Sequence, residues 1–147
     1  MRRITRFACA LALAALAVTA ITAAACTGND NSGSTTAPTT ALLLNEFTGT
    51  LTQNGAQSYP FNVLSSGTIT GKIETLSPDL TQIVGFGIGV WDGLSCQASP
   101  GVWNDRASQN TIVEGQVNAA GSLCVRIYDS LGTLPQPQTY DILVTHP

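Results

Sequence analysis

The sequence predicts an all-β domain, an antiparallel β-sandwich of seven to eight strands. One observation is the segment 121–129, in which apolar side chains recur at every second position, at Leu123, Val125 and Ile127. That two-residue period places the three side chains on one face of a strand. The second observation is that no long stretch after residue 41 repeats its apolar residues at helical spacing. Short β-rich runs alternate there with Gly, Pro, Asn and Asp, which is typical of strands joined by turns.

The β-rich runs predict eight individual strands. We place these at residues 42–51, 57–63, 67–76, 83–91, 94–98, 111–118, 122–129 and 138–146. They form one domain, residues 42–147, whose length of about 105 residues suffices to bury about two-thirds of the surface that the unfolded chain exposes.

Local patterns indicate how some of these strands are connected and oriented. The dipeptide Asn54-Gly55 predicts a hairpin, because both residues tolerate positive φ. The third strand is expected to bury Ile69 and Ile73, which lie four positions apart on one face. We expect the last strand either beside the strand that contains Cys124 or in the sheet opposite.

The segment 84–90 (VGFGIGV) places three glycines, Gly85, Gly87 and Gly89, on one face of a strand. Glycine weakens a strand, so three in register need a reason. One interpretation is that a loop or neighbouring side chains pack closely over this face. The other is a shallow groove that admits a ligand backbone or a sugar ring.

Two cysteines, Cys96 and Cys124, lie within the predicted sandwich and are expected to form a disulfide, which an exported domain permits. The alternative is a pair of buried free thiols. A metal site on the two cysteines is disfavoured, since the one histidine of the chain, His146, lies next to the C-terminus, where we expect fraying.

The first 25 residues have the order of a secretory signal. Three arginines precede an uncharged apolar run at 7–18, and small residues follow at 23–25. The apolar run is short for a transmembrane span, which needs about 20 residues. A membrane anchor is therefore the alternative to a cleaved signal peptide, residues 1–25.

The segment 23–26 (AAAC) resembles the lipobox of bacterial lipoproteins, in which cleavage precedes a cysteine that then carries acyl chains. The resemblance implies lipidation at Cys26 and anchoring in the cell envelope, at the outer membrane or the outer surface. The alternative is secretion with Cys26 as a free thiol. Residues 26–41 are rich in Ser, Thr and Gly and cannot bury enough surface to offset their ordering entropy, so we predict a flexible tether.

The charge of the mature chain disfavours nucleic acid as a partner. Loss of residues 1–25 leaves Lys72, Arg106 and Arg126 against nine acids, a net charge of 3 − 9 = −6. Nucleic-acid binding needs clustered Lys and Arg to neutralise phosphates, and no such cluster remains.

Five short segments share turns and aromatics with a known family. They are 47–51 (FTGTL), 59–63 (YPFNV), 67–69 (GTI), 121–129 (GSLCVRIYD) and 140–144 (YDILV). Residues 45–146 thereby resemble the bacterial pre-peptidase C-terminal (PPC) domain. The resemblance implies a jelly-roll-like β-sandwich with a non-catalytic binding role, sometimes with calcium. Members of the family often follow a secreted peptidase, and no peptidase is present here.

No catalytic or metal-binding pattern stands out. Nucleophilic catalysis needs a base beside Ser or Cys, and the acids that could serve as a carboxylate pair are scattered over turns and strand exteriors. We therefore expect no enzyme activity. Calcium needs six to eight oxygen ligands. Its candidate donors are Asp92, Asn104 and Asp105 on predicted loops and Asp129 at a strand end, and they lack the spacing of an EF-hand.

The two tryptophans provide the candidate ligand site. Flat aromatic faces bind sugar rings and cationic groups. We predict that Trp103, Asn104 and Asp105, on a loop braced by the disulfide, form the recognition surface, with Trp91 as a further contact. The alternative is that one or both tryptophans cap the core, which we favour for Trp91.

These observations predict a non-catalytic lipoprotein domain that binds an extracellular glycan or protein. The alternative is a structural or assembly component of the cell envelope with no small ligand. An exposed aromatic groove would favour the first function, and a broad apolar patch would favour the second.

Overall fold

The computed structural model describes residues 41–147. The predicted signal peptide 1–25, Cys26 and almost all of the predicted tether 26–41 lie outside the described residues. The described chain contains eight strands: β1 Leu43–Leu51, β2 Ala56–Val63, β3 Gly67–Ser77, β4 Val84–Trp91, β5 Cys96–Ala107, β6 Ile112–Val117, β7 Gly121–Tyr128 and β8 Gln138–His146. Over this range, no helix has the length and apolarity that a membrane crossing requires.

The strands form two four-stranded sheets in the orders β1-β8-β3-β6 and β2-β7-β4-β5, with every pairing antiparallel. The predicted antiparallel β-sandwich is confirmed. The first strand pairs with the eighth, the second with the seventh, the third with the sixth and the fourth with the fifth. The chain is thus one long hairpin with its tip at β4–β5, rolled so that successive pairs alternate between sheets, which is the strand order of a jelly roll.

The core lies between the sheets and is built from the alternating apolar side chains. Ile69 and Ile73 of β3 are buried as predicted, and Phe86 of β4, Ile127 of β7 and Ile142 of β8 are inaccessible to solvent. Burying a side chain of this size contributes roughly 1.5–3 kcal/mol relative to leaving it exposed.

The hairpin predicted at Asn54-Gly55 is wrong in its pairing, although its turn geometry is right. Asn54 has a φ of 55°, in the left-handed region that the dipeptide favours. The turn nevertheless carries the chain from β1 in one sheet to β2 in the other. Turn residues specify that the chain reverses, but the partner of each strand is fixed by contacts that are distant in sequence. The last strand, β8, lies in the sheet opposite β7.

The strand predicted at 94–98 is extended to Ala107 and contains the segment that was predicted as a loop. Its pairing with β4 jumps from Gly89–Ala98 to Gly87–Trp103, so four residues of β5, 99–102, face the single residue Ile88. This wide bulge accommodates Pro100, since β5 is an edge strand and a missing N–H there breaks no ladder hydrogen bond.

His146 does not lie at a frayed end, contrary to expectation. Its strand pairs with β1 as far as His146 itself, and the side chain is 1% exposed. The imidazole Nε2 lies 2.6 Å from Asn45 Oδ1, and the ring centroid lies 5.2 Å from that of Phe61. His146 thereby helps to close the seam where the edge strands β1 and β2 meet.

Candidate functional site

The glycine face of β4 is covered from within the domain. A Cβ on Gly87 would lie 2.5 Å from Cε3 of Trp103, and Cβ atoms on Gly85 and Gly89 would overlap the Tyr128 ring and the Gln97 carbonyl. The interpretation that neighbouring groups pack closely over the three glycines is confirmed. The open groove is wrong, because two aromatic rings and a backbone segment fill it.

The disulfide explains why β5 lies so close to Gly89. Cys96 and Cys124 are bonded at 2.07 Å, with their Cα atoms 5.6 Å apart. Neighbouring strands are about 4.8 Å apart, and β4 lies between β5 and β7, so a flat sheet would hold these Cα atoms about twice as far apart. The start of β5 therefore folds over β4 at Gly89. The predicted disulfide is confirmed, and the alternative of two free thiols is wrong.

Four side chains on the outer face of this sheet form what we call the aromatic cluster: Trp103, Asp105, Arg126 and Tyr128. The Trp103 indole N–H donates to the Tyr128 hydroxyl at 2.8 Å, and that hydroxyl donates to the Asp105 carboxylate. The Trp103 and Tyr128 ring centroids are 5.9 Å apart at 34°, and Arg126 Cζ lies 5.6 Å from the Tyr128 centroid. The members therefore position one another.

The cluster keeps its phenol protonated. Burial raises the pKa of Tyr128, and the hydrogen bond to Asp105 raises it further, because the phenol donates to a negative group. The bond from Trp103 and the charge of Arg126 act in the opposite direction but do not reverse the shift in pKa. The Tyr128 hydroxyl thus remains a donor to Asp105, and the chain of hydrogen bonds has a fixed direction.

The two rings each rest on a glycine of β4. Tyr128 lies over Gly85 and Trp103 lies over Gly87, so the sheet covers one side of each ring. Both side chains are half-buried. A ring that rests on backbone and is hydrogen-bonded at its rim loses little further freedom when a ligand binds to it.

The structure brings only part of the predicted recognition surface together. Trp103 and Asp105 meet through Tyr128, which was not among the predicted site residues. Asn104 Oδ1 instead accepts the backbone N–H of Arg106 at 2.9 Å. Trp91 pairs with Cys96 at the far end of β4, four positions beyond Gly87. Neither Asn104 nor Trp91 enters the hydrogen-bond chain of the cluster.

Tyr128 and Arg126 were missed because their role depends on strand register. They occupy outward positions of β7, opposite Gly85 and Gly87. The signal that could have revealed them is the coincidence of three in-register glycines with a strand that carries bulky polar side chains on one face.

The predicted calcium donors are engaged with separate protein partners. Asp92 accepts the backbone N–H groups of Leu94 and Ser95 at 2.8 and 2.7 Å, and these bonds lower the pKa of its carboxyl group. Asp105 is bonded to Tyr128. Asp129, directly after β7, accepts four backbone N–H groups. Within residues 41–147, no three His, Cys, Asp or Glu side chains lie where they could share a metal ion.

A cavity of about 60 Å³ lies at the seam between β5 and β6. It is lined mainly by apolar side chains, among them Ile69, Ile88, Val102, Val117 and Leu123. Pockets for small-molecule ligands measure about 300–1,000 Å³, so this cavity is too small for a sugar ring.

No family model matches the sequence, and no curated protein matches it. The resemblance to the PPC domain therefore stays a prediction.

Proposed function

We propose that this protein is a non-catalytic binding module of the cell envelope and that the aromatic cluster is its ligand surface. The observation that supports this proposal most is the packing of Trp103 and Tyr128. Each ring rests on a glycine of β4, and a hydrogen bond joins the two side chains. Aromatic faces of this kind bind sugar rings and other flat or cationic groups. The surface is ready-made, which reduces the entropy lost on binding.

The proposed location depends on the N-terminal sequence and the cysteines. The signal pattern before Cys26 and the lipobox-like 23–26 segment favour a protein that is anchored in the membrane by acyl chains on Cys26. The Cys96–Cys124 disulfide agrees with export, because disulfides persist in oxidising compartments. Secretion without lipid is the alternative location.

The likeness to the PPC domain supports the proposal at the level of fold. A jelly-roll strand order is what that resemblance implies, and the described strands have this order. One fold carries many unrelated functions, so the aromatic cluster, and not the fold, indicates the function.

A structural or assembly role is the second candidate, and exposed leucines favour it. Leu42, Leu44 and Leu64 are 64%, 64% and 71% exposed. Leu64 donates its N–H to the carbonyl of Pro147, and β1 begins opposite the end of β8, so these leucines lie at one end of the sandwich. Large exposed apolar patches mark protein contacts.

Tryptophan fluorescence of the full-length protein tests the binding function. The chain has two tryptophans, so Trp91→Phe leaves Trp103 as the only reporter. In that background, titration with a panel of oligosaccharides and extracellular proteins should change the emission of Trp103. Calorimetry should show that Trp103→Ala weakens binding at least tenfold, which corresponds to about 1.4 kcal/mol of binding free energy.

A glycine substitution tests the same site without removing a contact group. Gly87→Ala should also weaken binding, because the new Cβ displaces the Trp103 ring. Gly121→Ala is the matched control, since a Cβ there meets no atom within 4 Å. If no ligand in the panel binds, or if Trp103→Ala and Gly87→Ala bind as the parent does, the proposed site is wrong.

A further inference from the structure

Arg126 is the positive member of the aromatic cluster and has no acidic partner among residues 41–147. The cations in residues 41–147 are Lys72, Arg106 and Arg126, in a chain with nine acids. The ion pair found in this range joins Lys72 Nζ to Glu74 Oε2 at 2.6 Å on the other sheet. Arg126 makes neither an ion pair nor a side-chain hydrogen bond with any described residue. An arginine with no ion-pair partner in the described part of this acidic domain therefore belongs to the proposed ligand surface.

Arg126 is half-buried and lies between two other strands of its sheet. It is flanked by Ser58 of β2 on one side and Gly87 of β4 on the other. The Trp103 ring covers Gly87, and the guanidinium is held near Tyr128 by a cation–π contact. Its planar fork of N–H donors matches the two oxygens of a carboxylate.

Asp105 places a negative charge at one end of the aromatic cluster. Its carboxylate binds the Tyr128 hydroxyl and disfavours a second anion at that end, while it can accept hydrogen bonds from neutral hydroxyl groups. Arg126 provides positive charge near the same ring. A ligand that fits both carries hydroxyl groups toward Asp105 and an anionic group toward Arg126.

We infer that the ligand is an acidic saccharide, whose carboxylate pairs with Arg126 while a sugar ring stacks on Trp103. This inference rests on the proposed binding function and adds the chemical class of the ligand. A sugar ring supplies the flat apolar face and the hydroxyl groups, and a uronic-acid carboxylate supplies the charge. A neutral sugar would use only the aromatic part of the surface.

Paired titrations of the full-length Trp91→Phe protein test the inference. The probes are oligogalacturonate, its neutral counterpart oligogalactose, and polyglutamate as a carboxylate without a sugar ring. We expect oligogalacturonate to bind at least tenfold more tightly than oligogalactose at low salt, and salt to reduce this preference. Polyglutamate should bind more weakly than oligogalacturonate.

Arg126→Gln should abolish the preference for the acidic sugar, so that oligogalacturonate binds no more tightly than oligogalactose. Arg126→Lys should retain part of the preference, because it keeps the charge and loses the bidentate fork. Lys72→Gln is the matched control: it removes the same charge from the other sheet and should bind as the parent does.

The possible negative results separate the acidic class of the ligand from the binding function itself. Equal binding of both sugars, with Arg126→Gln unaffected and Trp103→Ala still weakened, would overturn the acidic class and leave the binding function standing. If Lys72→Gln and Arg126→Gln lost the preference for oligogalacturonate equally, the role of Arg126 would be overturned. If polyglutamate bound as tightly as oligogalacturonate, the assignment of the ligand as a saccharide would be overturned. Absence of binding by either sugar would overturn the inference as well.

Discussion

Asp129 is predicted to be the most stabilising polar side chain of the described domain. It is 9% exposed and lies directly after β7. Its two carboxylate oxygens accept the backbone N–H groups of Asn54 at 3.0 Å, Gly132 at 2.9 Å, Thr133 at 3.3 Å and Leu134 at 3.2 Å. One carboxylate thus joins the β1–β2 turn to the connection that leads into β8.

The size of the effect follows from these bonds. A hydrogen bond to a charged group contributes about 1.5–3 kcal/mol, and a buried donor left without a partner costs about 1–3 kcal/mol. The four bonds do not add fully, because the connection can relax and some donors regain water. We expect Asp129→Ala to lower the free energy of unfolding by about 3–4 kcal/mol and Asp129→Asn by about 2 kcal/mol, since the amide keeps one acceptor oxygen.

The pH dependence has a definite sign. Burial would raise the pKa of Asp129, but the bonds from Asn54, Leu134, Thr133 and Gly132 outweigh burial and hold the pKa below 3.8. A depressed pKa in the folded state gives stability that is present above the unfolded value of about 3.9 and is lost as the pH falls through the folded pKa. Asp129→Asn should lack this part of the acid destabilisation.

Urea unfolding at pH 7 and at pH 3, followed by tryptophan fluorescence, measures both effects. Glu114→Gln provides the control, because it removes one acidic charge from an exposed position of β6 and should change stability by no more than about 0.5 kcal/mol. The reasoning would be refuted if Asp129→Asn matched Glu114→Gln at pH 7, or if its loss of stability between pH 7 and pH 3 equalled that of the parent.

Two further predictions concern covalent and steric constraints, and both are measured by urea unfolding. Replacing Cys96 and Cys124 together by Ala should cost about 3.5 kcal/mol, since the bond closes a separation of 28 residues; dithiothreitol should then destabilise the parent but not the variant. Gly49→Ala puts a Cβ 2.6 Å from the Tyr59 hydroxyl and should cost about 1–3 kcal/mol. Equal stability of Gly49→Ala and the open-space control Gly121→Ala would contradict the close packing at that seam.

Much of the fold could be predicted because burial and strand period are local. The alternation in β3 and β7 is visible in the sequence, and seven of the eight predicted strands agree with the structure to within two residues at each end. The pairing could not be predicted. Asn54 adopts the turn conformation that its type favours, yet β1 pairs with β8, whose position depends on the closure of the whole core.

Part of the candidate site could also be predicted from the sequence. Trp103 and Asp105 were found from side-chain chemistry and position near a predicted disulfide. The strand predicted at 94–98 was ended too early, because Pro100-Gly101 normally interrupts a strand. In the structure, the edge strand β5 accommodates these two residues in a bulge. Arg126 and Tyr128 join the site only through the register between β4 and β7, which no local pattern specifies.

The pairing of β1 with β8 also determines how the domain responds to force. Leu43 lies opposite His146, so both ends of the domain leave the sandwich from the same end of the same sheet. Tension applied between those two points peels the strands apart one hydrogen bond at a time and does not shear the ladder along its length. The domain should therefore yield at low force when stretched by its ends.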